Sequence, residues 1–528
     1  MMFSIPYSQT GYFSKLMIDY LNQDNRLQPL YHRFPSLENF KLQIEEKQQA
    51  FPLHHREVLV RQLTKQYLNT TTSETTLHNI QQLANTNTFT VVTGHQLNLF
   101  TGPLYFLYKI ISTINLCKEL KAAYPEYHFV PVYWMATEDH DFEEINYFHF
   151  NRIKFQFNKN VSGPVGRLSN EGLEAVFKHF KQHLIHGENA KQLVSWFENA
   201  YLKHDNLADA TRYLANELFK TQGLVIVDGD DAALKQLFAP HIKEELQNQS
   251  SFTAVEASFD ILKDYAIQVN PREINLFYIE NGLRERIVFE DDSYKVLNTD
   301  IRFTKQEIEQ LVDTNPEKFS PNVILRPLYQ EVILPNLCYI GGGGELAYWL
   351  ELKKVFEVHQ TPFPILLLRN SVLLATKKQN QKIEKLHLSW EELFLKKQAF
   401  IQKKTHDLSD NAFDFEQQKA FLRKQFDDLH SLIQTTHPSF AGAVKAQEEK
   451  QIKGLENLEK RYYKAERLKN KEMIDRMVDL KIALFPNNSL QERVDNFSTL
   501  YVEFGQEMIN KLLKNLHPLD QHFTIITL

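Results

Sequence analysis

Residues 137–145 read TEDHDFEEI, in which Glu138, Asp139, Asp141, Glu143 and Glu144 surround the single imidazole of His140. The run follows FVPVYWMA (129–136), an apolar stretch that fits a buried strand. These groups therefore sit at a strand end, not in an ordinary solvated charge run. Several kinds of chemistry suit them. Asp, Glu and His can ligate a cation, but adjacent side chains diverge and no HExxH-like spacing completes a ligand set, so no metal-binding residue is assigned. His140, held by Asp139 or Asp141, can carry a proton near neutral pH. The carboxylates can also grip a substrate ammonium. The reading adopted is that Glu138 to Asp141 handle substrate around an amine, with His140 as proton carrier and His140 and Asp141 counted as catalytic. Glu143 and Glu144 are taken as solvated or structural.

Two further apolar runs end in unusual polar clusters. TGHQLNLFTGP (93–103) follows FTVVT: Gly94 permits a sharp turn, and His95 and Gln96 sit at the tip. Thr101 is expected near the cap of a following helix, with Gly102 beside it and Pro103 in the first turn. The open N–H groups of that helix, with Lys109 two turns on, suit phosphate or carboxylate; an ordinary capped strand-to-helix turn is the plainer alternative. His95 is assigned a catalytic role and Gln96 a substrate-binding one. In SPNVILRPLYQEVILPNLCYIGGGGELAYW (320–349), Gly341, Gly342 and Gly343 belong to a four-glycine run before a helix starting near Glu345. Such a run permits close backbone approach to a phosphate, although it matches neither GxxxxGK[ST] nor GxGxxG. Arg326 and Gln330, one helical turn apart, are expected to face one pocket. Asp228, ending GLVIVD, suits either ribose binding or helix capping. Arg493 can bind a carboxylate bidentately.

The elements that must position these residues are legible as apolar runs. FTVVT (89–93), FVPVYWMA (129–136), GLVIVDGD (223–230), NLCYIGG (336–342) and PILLLRN (364–370) read as buried parallel strands. Helical patterns at 103–123, 207–222 and 345–359 alternate with them, which argues a doubly wound α/β sheet. In such a sheet, ligands bind outside the carboxyl ends of the strands. The expected core covers 1–370, with inserts at about 143–205 and 255–320; in the second, Asn281-Gly282 between alternating runs signals a hairpin. Residues 371–480 are charged and almost free of Gly and Pro. They read as two long helices in an antiparallel coiled-coil arm, broken at Pro438 with Ser439 capping the second, and carrying the apolar stripe Ile452, Leu455, Leu458, Tyr462, Ala465 and Leu468. Residues 481–528 are expected to return to the core.

Composition narrows the function class. The 528 residues carry 60 basic and 66 acidic side chains, a net charge of −6, which leaves no footprint for nucleic acid and no polybasic membrane patch. No apolar stretch approaches bilayer length and the N-terminal sequence has no signal-peptide pattern, so a cytoplasmic protein is expected. The two cysteines, Cys117 and Cys338, form no CxxC pair and read as small buried hydrophobes.

TGHQLNLFTGPLYFLYK, PVYWMATEDHDFEEI, FSPNVILRPLYQEVILP, YIGGGGELAYW and LFPNNSLQER together resemble, in order and spacing, the bacillithiol biosynthesis cysteine-adding enzymes (BshC), from about residue 90 to 496. The resemblance implies a Rossmann-like core with connecting-peptide inserts, a helical coiled-coil arm and a homodimer. It implies a ligase that adds L-cysteine to the amine of glucosaminyl malate in the last step to bacillithiol. The family's likeness to class I aminoacyl-tRNA synthetases further implies ATP, with Mg2+, activating the cysteine carboxylate. The 93–103 turn would then hold phosphates, the carboxylates at 138–141 would lie near the amine, and Arg493 would pair with malate. The sequence has no HxGH signature and no KMSKS-like loop, and YIGGGGE has an extra Gly where GPGE would be expected. A metal-dependent hydrolase centred on His140 and a non-catalytic scaffold built on the arm are the alternatives.

Overall fold

The computed structural model describes residues 2–409, 415–433, 437 and 439–528. Its centre is a five-stranded parallel sheet: β1 (Thr88–His95), β2 (His128–Met135), β3 (Val225–Asp228), β4 (Asn336–Gly341) and β5 (Ile365–Leu368). The order is β5-β4-β1-β2-β3. All five apolar runs became strands because each is covered on both faces. The winding reverses between β1 and β4, which opens a crevice beyond their carboxyl ends.

Three helices matter for the site: α1 (Tyr105–Ala123), α2 (Leu325–Ile333) and α3 (Gly343–Trp349). Helix α1 carries the chain from β1 to β2 and is buried over most of its length. Its Leu116 and Leu120 join Phe89, Val91, Ile340 and Leu367 in one apolar core, with Phe40 and Ile44 of the N-terminal helix Leu37–Ala50. Cys117 and Cys338 are free and buried in the same core, where burial pushes both thiols well up.

Both inserts are present. The first holds a hairpin, Tyr147–Phe150 with Ile153–Gln156, and the helices Leu173–His183 and Glu188–Phe197, closed around Phe100, Phe148, Phe180 and Phe197. The second holds an antiparallel sheet in which Leu276–Glu280 pairs with Leu283–Glu290 across Asn281-Gly282. Gly282 supplies the positive φ, +76°, that the turn needs.

Two expected boundaries shift. Ser371–Ala375 is a fully buried strand, not the start of the arm, and shares a small sheet with Met2–Pro6 and His522–Thr527. SVLLA is apolar, and the charged helical texture begins only at Lys377. The two compact units are residues 2–374 with 490–528, and residues 375–489. The core thus resumes at Leu490 rather than 481, where the Gln491 side chain both accepts from the Leu374 N–H (3.0 Å) and donates to the Leu374 carbonyl (3.1 Å).

In the second unit, the helices Glu416–Ile433 and Ser439–Lys469 pair antiparallel, with Lys419–Glu459 at 2.8 Å and His430–Glu448 at 3.0 Å. Ile452, Leu455 and Tyr462 are half-buried, whereas Leu458, Ala465 and Leu468 are exposed. The expected break at Pro438 lies outside the described residues.

The segment before the second insert's hairpin is clasped by one carboxylate. Glu351, fully buried, accepts from the Gln268 and Val269 N–H groups at 2.8 and 3.3 Å. Burial pushes its carboxyl from 4.5 up to about 7, against the pull of those two donors. Between those values the folded protein holds a proton that the unfolded chain has released, so stability falls as pH rises through the window. Glu351→Gln is expected to remove that part of the slope, read as denaturation midpoints near pH 4.5 and pH 7. An unchanged slope would refute this.

Candidate active site

A cavity of about 740 Å³ lies beyond the carboxyl ends of β1, β2 and β4, at the point where the winding reverses. The β1 tip contributes Gly94, His95 and Gln96, and α1 contributes Lys109. Lys109 is almost fully buried; its Nζ donates to the Gly94 carbonyl at 2.7 Å and pairs with Glu345 at 2.5 Å. His95 lies against Tyr105 and Phe106, with ring centroids 5.5 and 5.0 Å away. Burial, with Lys109 adding to it, holds its imidazole well below the usual range, so it is neutral. Its Nε2 is buried with no hydrogen-bond partner among the described residues, a costly state that a substrate group would relieve.

The β2 tip carries the acidic run. Glu138 is buried and pairs with Lys235 at 2.7 Å, and Lys235 also meets Asp230 at 3.1 Å. Burial nevertheless pushes the Glu138 carboxyl up. Asp139 accepts from the Gln96 amide at 3.0 Å and from the His140 N–H at 2.8 Å. His140 and Asp141 face the cavity with it. The three side chains offer ligand atoms within 4.8 Å of one another, but the Arg284 guanidinium lies 2.6 Å from His140 Nδ1 and puts a competing cation there.

At the β4 tip, Gly342, Gly343 and Gly344 line the cavity. Glu345 accepts from the Gly342 N–H at 2.9 Å and from the Tyr339 hydroxyl at 2.9 Å. Burial works against its ionisation, but Lys109 and these donors hold its carboxyl below the usual range. Arg326 and Arg369 complete this side. Arg326 lies over Trp134 and Tyr339 at 5.9 and 5.7 Å, and Arg369 pairs with Glu492 at 2.7 Å. Arg326 Nη2 and Arg369 Nε are buried without partners among the described residues. Arg493 lines the cavity from the start of the returning segment, is exposed, and has no carboxylate within ion-pair distance among those residues.

Four expected site residues lie off the cavity. Thr101 and Gly102 form a left-handed turn with φ of +70° and +61°. Helix α1 begins only at Tyr105, and the Leu104 N–H is already taken by the Asp495 carbonyl at 2.8 Å. The turn is bolted down from behind, by the Asn496 amide donating to the Phe100 and Gly102 carbonyls (2.7 and 2.6 Å), so it is structural and offers no open helix end. Gly341 belongs to β4, pairing with Leu368. Gln330 is fully buried behind Arg326, whose Nη1 donates to it at 3.1 Å. Asp228 is likewise structural: it accepts from the Thr137 hydroxyl and from the Asp230 N–H.

Several participants escaped the sequence reading. Arg284 follows the Asn281-Gly282 turn by two residues, and Arg369 ends the β5 run. Polar residues at turn and strand ends were the available signal. Lys235 and Gly166 had none, since only folding brings them to the acidic run.

Five parallel strands in doubly wound order, charged clusters on the tips at the winding reversal and a separate helical unit define a Rossmann-like protein with a polar crevice at its strand ends and a coiled-coil domain. Family descriptions match both parts: the BshC N-terminal Rossmann-like domain over residues 1–370 and the BshC C-terminal coiled-coil domain over 372–528. The chain belongs to the bacillithiol biosynthesis BshC family. A Flavobacterium johnsoniae protein is 58% identical, covering 99% of both chains. A Flavobacterium psychrophilum protein is 59% identical over 99% of this chain and 98% of its own. One from Cytophaga hutchinsonii is 39% identical over 96% and 95%. All three bear the name "Putative cysteine ligase BshC". Among the described residues, no helix is long and apolar enough to cross a membrane.

Proposed function

We propose that the chain is a cytoplasmic cysteine ligase of bacillithiol biosynthesis, joining the carboxyl of L-cysteine to the amine of glucosaminyl malate. The observation that carries this is the pairing of opposite charge sets in one crevice. Glu138, Asp139 and Asp141 stand at the β2 tip, and Lys109, Arg326 and Arg369 stand near the β4 tip. The first set suits an ammonium, and the second suits carboxylate or phosphate oxygens. ATP is the proposed source of the activated acyl group, supplying a leaving group whose charge the cationic set and the neutral His95 would stabilise, with Mg2+ accompanying the phosphates. The Gly342–Gly344 backbone allows close approach there. Incubation with ATP, cysteine and glucosaminyl malate is expected to yield the amide by mass spectrometry. Absence of product, together with normal thiol levels in a deletion strain, would overturn the assignment.

Arg493 is the candidate partner for malate. Because it holds no internal ion pair, Arg493→Ala should leave stability unchanged and raise the KM for the dicarboxylate substrate. The rise should be about tenfold to a hundredfold, given roughly 1.5–3 kcal/mol for a hydrogen bond to a charged group. An unchanged KM would remove Arg493 from the site. The exposed Leu458 and Leu468 of the arm are assigned to a homodimer contact.

A further inference from the structure

We propose that Arg284 is a positioning residue that fixes His140 as the neutral tautomer protonated at Nε2, and that Asp141 rather than His140 takes the proton from the substrate ammonium. The second half rests on the ligase reading above; the first does not.

The Arg284 fork is held on two sides. Its Nε donates to Ser320 Oγ at 3.2 Å and its Nη2 to the Pro321 carbonyl at 3.3 Å. The guanidinium lies over Phe277, its Cζ 4.0 Å from the ring centroid. Nη1 is thereby aimed at His140 Nδ1, 2.6 Å away. A guanidinium only donates, so Nδ1 must present its lone pair, and the ring proton resides on Nε2. An imidazolium would set two N–H groups against each other at that distance. His140 therefore has no free lone pair with which to act as base, and its part is to donate from Nε2, which lies 4.0 Å from Asp141.

The nearby carboxylates then separate by their commitments. Glu138 is engaged by Lys235, and both Asp139 oxygens accept hydrogen bonds. The Asp141 carboxylate accepts none among the described residues, and its side chain, which lines the cavity, is 55% exposed. Burial, then the Asp139 charge, pushes its carboxyl up, with Glu144 adding to this and Arg284 opposing. In the proposed step the ammonium gives one proton to Asp141. The amine lone pair forms the C–N bond to the activated cysteine carboxyl carbon. The bond from that carbon to the nucleotide-derived leaving oxygen breaks with its electron pair, and the second N–H proton passes to solvent.

The test uses the full chain labelled with 15N-histidine, with the His140 signals assigned by their loss in His140→Gln. An unprotonated Nδ1 and a protonated Nε2 are expected at neutral pH, with a shift toward mixed tautomers in Arg284→Met and less so in Arg284→Lys. A protonated Nδ1 in the parent, or no change in Arg284→Met, overturns the positioning role. In the amide assay, Asp141→Asn should lose about 100-fold or more in kcat and the acidic limb of the pH profile, whereas His140→Gln, which keeps a donor, should stay within about tenfold. The reverse ranking overturns the assignment of Asp141. If the parent makes no amide at all, the ligase reading and the Asp141 step fall together, while the tautomer measurement still decides Arg284.

Discussion

Lys109→Met is expected to cost the core roughly 1.5–3 kcal/mol, because it takes the counter-charge from the half-buried Glu345 carboxylate and the donor from the buried Gly94 carbonyl. Lys109 is 3% exposed and spans the β1 and β4 tips, holding the Gly94 carbonyl on one side and Glu345 on the other. Glu345 in turn caps Gly342 and orients Tyr339. The loss should therefore spread from stability to geometry: without the lysine, the glycine turn and the β1 tip are no longer held in register, and amide formation should fall below detection. Denaturation followed by tryptophan fluorescence reads the first effect, since Trp134, Trp196 and Trp349 lie in the core unit. The double variant Lys109→Met/Glu345→Gln should recover a good part of the stability, because it removes the orphaned charge, but none of the activity. A single variant within about 1 kcal/mol of the parent would show that the pair is not the brace described here.

Gly166→Val should abolish activity while leaving the fold largely intact. A Cβ at Gly166 would stand 2.6 Å from Thr137 Cβ, 2.9 Å from the Thr137 carbonyl oxygen and 3.0 Å from its Cα. Two of those three atoms are backbone and cannot swing aside. The contact is also a hydrogen-bonded seam, since the Gly166 N–H donates to the Thr137 carbonyl at 2.8 Å and the Val165 N–H to the Asp139 carbonyl at 2.7 Å. Any added side chain must push residues 137–139 away, carrying Glu138 off Lys235 and Asp139 off Gln96. Displacement by about 1 Å is enough to cost about 100-fold in rate, so kcat/KM should fall by at least that much with near-native circular dichroism. Gly166→Ala should show a smaller loss in the same direction. Activity within threefold of the parent in both variants would mean that the acidic run tolerates movement and is not held for chemistry.

The two residues differ in how readable they were. Lys109 is legible in the sequence because it follows a strand end by a local, predictable spacing. Gly166 lies in an insert whose path back to the β2 tip depends on the aromatic cluster around Phe100, and nothing near it in sequence announces Thr137. Arg284 is intermediate: its hairpin was legible from Asn281-Gly282, but the landing of that hairpin on His140 was not. The Thr101–Gly102 turn has the same root. The residue types suited a helix start, but tertiary hydrogen bonds from Asn496 drew that turn into the left-handed region and faced it inward.

The sequence by itself determined the five core strands, the hairpin and the helical pair. Each is written in a local pattern: continuous apolar runs for strands buried on both faces, a two-residue turn, and a helical stripe. It also determined which strand ends carry charge. Only the tertiary structure decided the order β5-β4-β1-β2-β3 that brings three of those ends to one crevice, and which buried charges are neutralised internally and which are left for a ligand. Those outcomes depend on pairs such as Lys235 with Glu138 and Arg369 with Glu492, whose members stand 97 and 123 positions apart. Local pattern carries no information about which distant partner will neutralise a charge; burial and geometry settle that once the chain has folded.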